Sequence, residues 1–151
     1  MFERRNAKKV KIGDIFIGGN EPIAVQSMLN RRSDDFEGSI AQAKALEAAG
    51  CDIVRAAVPD MEAVELIGRL KSSISIPVVA DIHFDYRLAL ECVAAGVDKI
   101  RINPGNIGSE DRVKAVADAC RSAGIAIRIG VNSGSVEKEI LAKYGSPTPM
   151  A

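Results

Sequence analysis

The chain has 151 residues, 47% of them hydrophobic, which suits one domain burying roughly 70% of the surface its unfolded chain exposes. Its 20 Lys+Arg balance 20 Asp+Glu, so no basic excess draws it to nucleic acid or to an anionic membrane. With 4% aromatics and no Trp it offers no base-stacking platform.

In chain order, residues 10–12 and 15–17 flank Gly13-Asp14, the pattern of a hairpin with a tight turn, placed as a lid over the amino-terminal end of a barrel. A first strand is expected over 23–28. A helix follows over 34–49, with Phe36, Ile40, Ala43 and Leu46 on one stripe and Asp34 with Glu37 as a capping box. Strand 53–58 leads to a helix capped by Asp60 and reaching about residue 72. Strand 77–82 leads to a helix capped by Asp85 and reaching residue 95. Strand 99–102 is joined by the loop 103–109 to a helix capped by Ser109, with Glu110 and Asp111 in its first turn and Val113, Val116, Ala117 and Cys120 buried. Strand 125–131 and a short helix over 135–144 complete the series.

The joints repeat. Ala48-Ala49-Gly50-Cys51-Asp52-Ile53-Val54-Arg55, Ala94-Ala95-Gly96-Val97-Asp98-Lys99-Ile100-Arg101 and Ser122-Ala123-Gly124-Ile125-Ala126-Ile127-Arg128 each stop a helix at Gly and begin a strand. Alternating β and α implies a parallel sheet. The fold expected is therefore α/β: a partial TIM-type (β/α) barrel of about five βα units, preceded by a β-hairpin. A closed barrel needs eight units and about 250 residues. Residues 1–151 are thus expected to be the amino-terminal part of a (β/α)8 barrel, with the remaining strands supplied elsewhere. A five-stranded doubly wound sheet is the structural alternative.

Period two decides which side chains share a face. One face of the strands carries Arg55, then Asp81 and His83, then Lys99, Arg101 and Asn103, then Arg128 and Gly130, with Asn132 in the same parity; the other face is apolar. In a barrel the charged face points inward, and its late positions are where barrel sites form. Three arginines there repel one another and carry a desolvation cost, and Asp81 offsets only one charge. The residual positive field asks for an anion, and Arg grips phosphate oxygens bidentately. The alternative is that the arginines are structural ion pairs. His83, the only histidine, can exchange a proton near neutral pH or help hold an anion. The loop from Asn103 to Ser109 either offers free helix-start amides to a phosphate or is simply a tight βα turn. Gln26 has the inward parity, to bond a ligand or to fill the lumen.

The cysteines are Cys51, Cys92 and Cys120, with no CxxC pair. They suggest buried small hydrophobes rather than a disulfide framework or a metal clip. No signal-peptide pattern and no apolar run of membrane-spanning length is present, so a reducing cytoplasm is the expected compartment.

Four runs are long and specific: AVQSM (residues 24–28), ADIHFDYR (80–87), RINPGNIG (101–108) and RIGVN (128–132). Together they resemble the 4-hydroxy-3-methylbut-2-enyl diphosphate synthases, the iron-sulfur oxidoreductases of the non-mevalonate isoprenoid pathway, over about residues 5–150. The resemblance implies an enzyme that reductively opens and dehydrates 2-C-methyl-D-erythritol 2,4-cyclodiphosphate. It implies a barrel that holds the cyclic diphosphate, and a separate domain carrying a 4Fe-4S cluster on three cysteines and a glutamate that are not in this chain. It further implies ferredoxin or flavodoxin as electron donor and a homodimer of the full-length protein, with no nucleic-acid or membrane partner. Carried over by position, Arg55, Arg101 and Arg128 bind diphosphate oxygens, and Asp81, His83, Asn103 and Asn132 line the same pocket. Ser133 and Lys138 are weaker candidates; no catalytic or metal-ligating residue is assigned in this chain. After Met28 the family usually has Thr-Asn-Thr, whereas here Leu29-Asn30-Arg31 follows. Two rivals remain open: a barrel transferase of the dihydropteroate-synthase type, and a non-catalytic anion-binding fragment.

Overall fold

The computed structural model describes residues 5–136 and 138–148. Two short strands, β1 (Val10–Ile12) and β2 (Ile15–Ile17), pair antiparallel around Gly13 as the expected hairpin. The main sheet has five strands: β3 (Gln26–Met28), β4 (Ile53–Val58), β5 (Val78–Ile82), β6 (Lys99–Ile102) and β7 (Ala126–Ile129). All pair in parallel, in the order β3-β4-β5-β6-β7. Each strand thus lies beside the next one in sequence, as in a barrel wall. A doubly wound sheet reverses its strand order at a switch point, and this one does not.

The connecting helices are α1 (Phe36–Ala48), α2 (Met61–Ser73), α3 (Tyr86–Ala94), the single turn α4 (Pro104–Ile107), α5 (Glu110–Ala123) and α6 (Lys138–Tyr144). Val54, Ala56, Val58, Val78, Ala80, Ile82, Ile100 and Ile102 face these helices in one continuous core with Leu66, Ile67, Leu70, Leu88, Ala89, Val116 and Cys120. The opposite, lumenal face starts with a small apolar plug. Ile12 of the hairpin is fully buried against Ile53 and Val79, with Ala126 alongside. These are early strand positions, so the hairpin does close the amino-terminal end. Burial of both faces at the early positions of β4 and β5 explains why these strands begin as apolar runs.

Gly50, Gly96 and Gly124, the three repeated joints, all have positive φ (87°, 82° and 68°). A β-carbon is disfavoured there, which fixes Gly at the helix stop.

Several boundaries differ from those read in the sequence. Asp35, not Asp34, caps α1, accepting from the Gly38 amide at 2.9 Å. Asp34 instead pairs with Arg32 (2.8 Å), so the expected capping box with Glu37 does not form. The first barrel strand is only Gln26–Met28, because Val25 bonds outside the ladder, its amide donating to the Asp52 carboxylate at 2.7 Å. Asp60 and Asp85 cap as expected, accepting from Ala63 (2.9 Å) and Arg87 (3.0 Å), whereas Ser109 occupies the cap position of α5 without a side-chain bond. Strand β7 ends at Ile129, and a 3-10 turn at Ser133–Ser135 separates it from α6, which starts at Lys138 rather than Ser135. Residue 137 of that expected helix, and residues 149–151, lie outside the described residues.

Candidate functional site

Register sets the lumenal face in rows. One row runs Met28, Arg55, Val79, Lys99, Ala126; the next, nearer the carboxyl ends, runs Ala57, Asp81, Arg101, Arg128. Asp81 is the hub. Its carboxylate is 2% exposed and accepts from Arg55 Nη2 at 2.5 Å and from Arg101 Nη1 at 3.1 Å. His83 Nε2 stands 3.3 Å from the same carboxylate. Burial by itself would push the Asp81 carboxyl up, but the Arg55 and Arg101 guanidiniums outweigh it and hold it below the usual carboxylate range.

The charge does not close. Arg55, Lys99, Arg101 and Arg128 share the lumenal face with one carboxylate, Asp81, which pairs with Arg55 and Arg101, and Arg55 Nε is buried with no hydrogen-bond partner. An orphaned guanidinium N–H is costly unless something occupies it. Arg128 is exposed, with no ion pair among the described residues. The rim is open: the His83 side chain is 41% exposed, with Phe84 edge-on to it.

The other two residues expected in this pocket sit differently. Asn103 is buried, and its amide is partly engaged: Oδ1 accepts from the Gly105 amide at 3.2 Å, and one N–H of Nδ2 donates to Ser135 Oγ at 2.7 Å. It thereby caps α4 and ties the β6–α4 joint to the turn after β7. The loop read from sequence as open is thus a helical turn, and the amides of Gly105, Asn106 and Ile107 are already taken by Asn103. Asn132 is exposed, its main chain bonded to Ser135 Oγ (amide 3.2 Å, carbonyl 3.0 Å). Gln26 is exposed at the open side of β3. Ser133 and Lys138 are exposed on the 3-10 turn and α6.

Two residues that shape the site are not singled out by their chemistry in the sequence. Ser135 buttresses Asn103. Gly130 lies under Arg101: a β-carbon there would stand 2.4 Å from Arg101 Nε. Only a residue without one lets that guanidinium cross the exit of β7. The shared inward parity of Gly130 was the one available hint.

The cysteines do not gather. Cys51 begins the joint into β4, Cys92 lies in α3 and Cys120 in α5, all buried and free. Burial pushes the Cys92 thiol up to about 12, with Glu91 adding to it, and burial also raises Cys120. An iron-sulfur cluster needs thiolates converging on one point. No group of three or more His, Cys, Asp or Glu among the described residues is placed to hold a metal ion. The residues of this chain therefore do not fit such a cluster. We predict that Cys92 and Cys120 stay unmodified when the native chain meets iodoacetamide at pH 8 and react once urea unfolds it. Mass spectrometry showing alkylation of either within minutes in the folded chain would contradict this burial.

Five sequential parallel strands, helices on one face and a cationic face opposite define a (β/α)-barrel protein whose charged groups meet at the carboxyl ends of the strands. The chain belongs to the GcpE TIM-barrel domain family, whose model matches residues 7–151. It is 57% identical over 150 residues to the 4-hydroxy-3-methylbut-2-en-1-yl diphosphate synthase (flavodoxin) of Azotobacter vinelandii, covering 99% of this chain and 40% of that protein. It is 60% identical over 147 residues to the enzyme of the same name from Ruminiclostridium cellulolyticum, covering 97% of this chain and 42% of that one. The chain thus spans about two fifths of the length of these curated relatives. Among solved structures it superposes on the dihydropteroate synthase of Yersinia pestis with a TM-score of 0.63 at 11% identity, covering 91% of this chain and 52% of that one. The Xanthomonas albilineans dihydropteroate synthase gives 0.61 at 16%, covering 91% and 55%. At such identity the likeness is one of fold. No helix among the described residues is long and apolar enough to cross a membrane.

Proposed function

We propose that this chain is the substrate-gripping part of the barrel of a 4-hydroxy-3-methylbut-2-en-1-yl diphosphate synthase, and that its lumen holds 2-C-methyl-D-erythritol 2,4-cyclodiphosphate by the two phosphates. The observation that carries the reading is the unbalanced lumen, with Arg55 Nε buried and unpartnered beside Arg101 and Arg128. A doubly charged ring supplies the missing negative charge, and guanidinium forks suit its oxygens. Arg55 and Arg101 arrive pre-oriented by Asp81, so little side-chain entropy remains to be lost on binding. Arg128 is free to swing onto the outer phosphate, and His83 at the rim can donate a hydrogen bond to it. Asn103, through Ser135, holds the β6 and β7 exits at a fixed spacing, and its second amide N–H can reach the ligand. Asn132 stands at the same rim.

The reaction of the full-length enzyme, on this reading, is a two-electron reductive ring opening with loss of water. The 4Fe-4S cluster that supplies those electrons sits on a domain outside residues 1–151, is fed by flavodoxin or ferredoxin, and meets this barrel within a homodimer. What these residues do is neutralise the diphosphate and fix the ring, which favours departure of the phosphate oxygen as charge builds on it.

Calorimetric titration of the chain with the cyclodiphosphate tests the reading. Binding that weakens steeply with added salt is expected. No heat at millimolar ligand would overturn it. A pterin diphosphate bound in place of the cyclodiphosphate would favour a transferase. We also predict no product from this chain plus a strong reductant; measurable turnover would refute the placement of the redox chemistry outside it.

A further inference from the structure

Lys99 has no task in the site as described so far. It begins β6, stands in the lumenal row between Val79 and Ala126, and shares that row with Arg55. It is only 9% exposed, and among the described residues its ammonium has no hydrogen bond and no ion pair. Lysine is almost never buried without a partner. The groups that could serve are spoken for. Asp81, the carboxylate of the neighbouring strand, is shared by Arg55, Arg101 and His83. Asp98, next in sequence, faces away and binds Lys71 Nζ at 2.6 Å and the Val78 amide at 2.8 Å. The plug of Ile12, Ile53 and Val79, with Ile15, Ile17, Ala24 and Ala126 packed against it, is apolar throughout. The remaining charged groups turned toward it are cations: Arg55 from β4, Arg101 from its own strand and Arg128 from β7.

We propose that Lys99 is a fourth cationic contact for the anion in this lumen, meeting the more deeply seated phosphate from the row beneath Arg101 and Arg128. The inference rests on the lumenal anion reading above and adds to it a residue and a depth. A lysine suits this place because its flexible stem packs along the apolar plug while the head reaches upward. Burial first, and then Arg128 and Arg55, push the Lys99 ammonium below the ordinary lysine value. An arriving anion reverses that balance and favours the charged ammonium, so binding draws protons wherever the free lysine is partly neutral. The cyclic diphosphate has one strongly acidic oxygen on each phosphorus and does not itself titrate near pH 8.

The test compares the native chain with Lys99→Met and Lys99→Gln, titrating the cyclodiphosphate between pH 8 and pH 10 in buffers of different ionisation enthalpy. The native chain should take up protons on binding. Both variants should bind at least tenfold more weakly with that uptake gone, while their ligand-free Tm is unchanged or raised, because a buried unpaired charge has been removed. Binding within twofold of native with the same proton uptake would overturn the role of Lys99 alone. So would a lowered Tm in both variants with native affinity, which would mark a structural prop. Failure of the native chain to bind would remove the lumenal anion reading itself.

Discussion

Replacing Asp81 by Asn should lower the stability of the fold by about 3 kcal/mol, the lower end of what breaking a buried ion pair costs. The carboxylate is 2% exposed and bonds two guanidiniums that are themselves 20% and 13% exposed. Asparagine keeps one acceptor oxygen but no charge, so Arg55 and Arg101 would be left facing each other with Lys99 and Arg128 nearby. Urea unfolding should show the midpoint falling at constant slope. The effect has a defined pH dependence. The folded-state pKa of Asp81 lies below its ordinary value of 3.8, so its contribution is fully present above that value and is lost as the pH falls through the lower folded one. Native and variant stabilities should therefore converge in acid. Added diphosphate should restore part of the loss in the variant, since an anion in the lumen does the work of the missing carboxylate. A variant within about 1 kcal/mol of native at pH 7 would show that the hub is not what holds these arginines.

Arg101→Met should weaken binding of the cyclodiphosphate by at least about thirtyfold, because losing one member of a buried, hydrogen-bonded charge pair costs about 2–5 kcal/mol and tenfold is about 1.4. The geometric counterpart is Gly130→Ala. It changes no charge, yet its β-carbon would stand 2.4 Å from Arg101 Nε and 2.7 Å from Nη2, so the guanidinium must move. We expect it to weaken binding by at least tenfold while leaving net charge and the strand register alone. If Arg101→Met is severe and Gly130→Ala silent, charge matters at this position and placement does not. If both are silent, the ligand does not sit on these strand ends.

The strand parity was legible because a two-residue period is rigid: Arg55, Asp81 and Arg101 had to share a face once the strands were placed, and they meet at 2.5 and 3.1 Å. The Gly joints were legible because a left-handed residue at a helix stop leaves few choices. What escaped is local competition and long-range pairing. Asp34 and Asp35 are equally good caps in isolation, and Arg32 decides between them by pairing with Asp34. Asn103 reads as a polar residue aimed at a ligand, but Ser135, 32 residues away, claims one N–H of its amide. Gly130 shows the inward parity but not its role, which is to make room for a side chain on the neighbouring strand. The imbalance around Asp81 was visible in the sequence as an excess of arginine; the buried, unoccupied Arg55 Nε was not.

The unbroken order of the strands bears on how the chain matures. Lumenal ladder neighbours are separated by between 20 and 27 residues, as in Val79 with Lys99 and in Gln26 with Ile53. None of the four pairings among these five described strands waits for a distant segment, which keeps loop-closure costs modest at each of these steps. Each new βα unit leaving the ribosome meets a ready-made edge, so the wall can lengthen vectorially, one stave at a time.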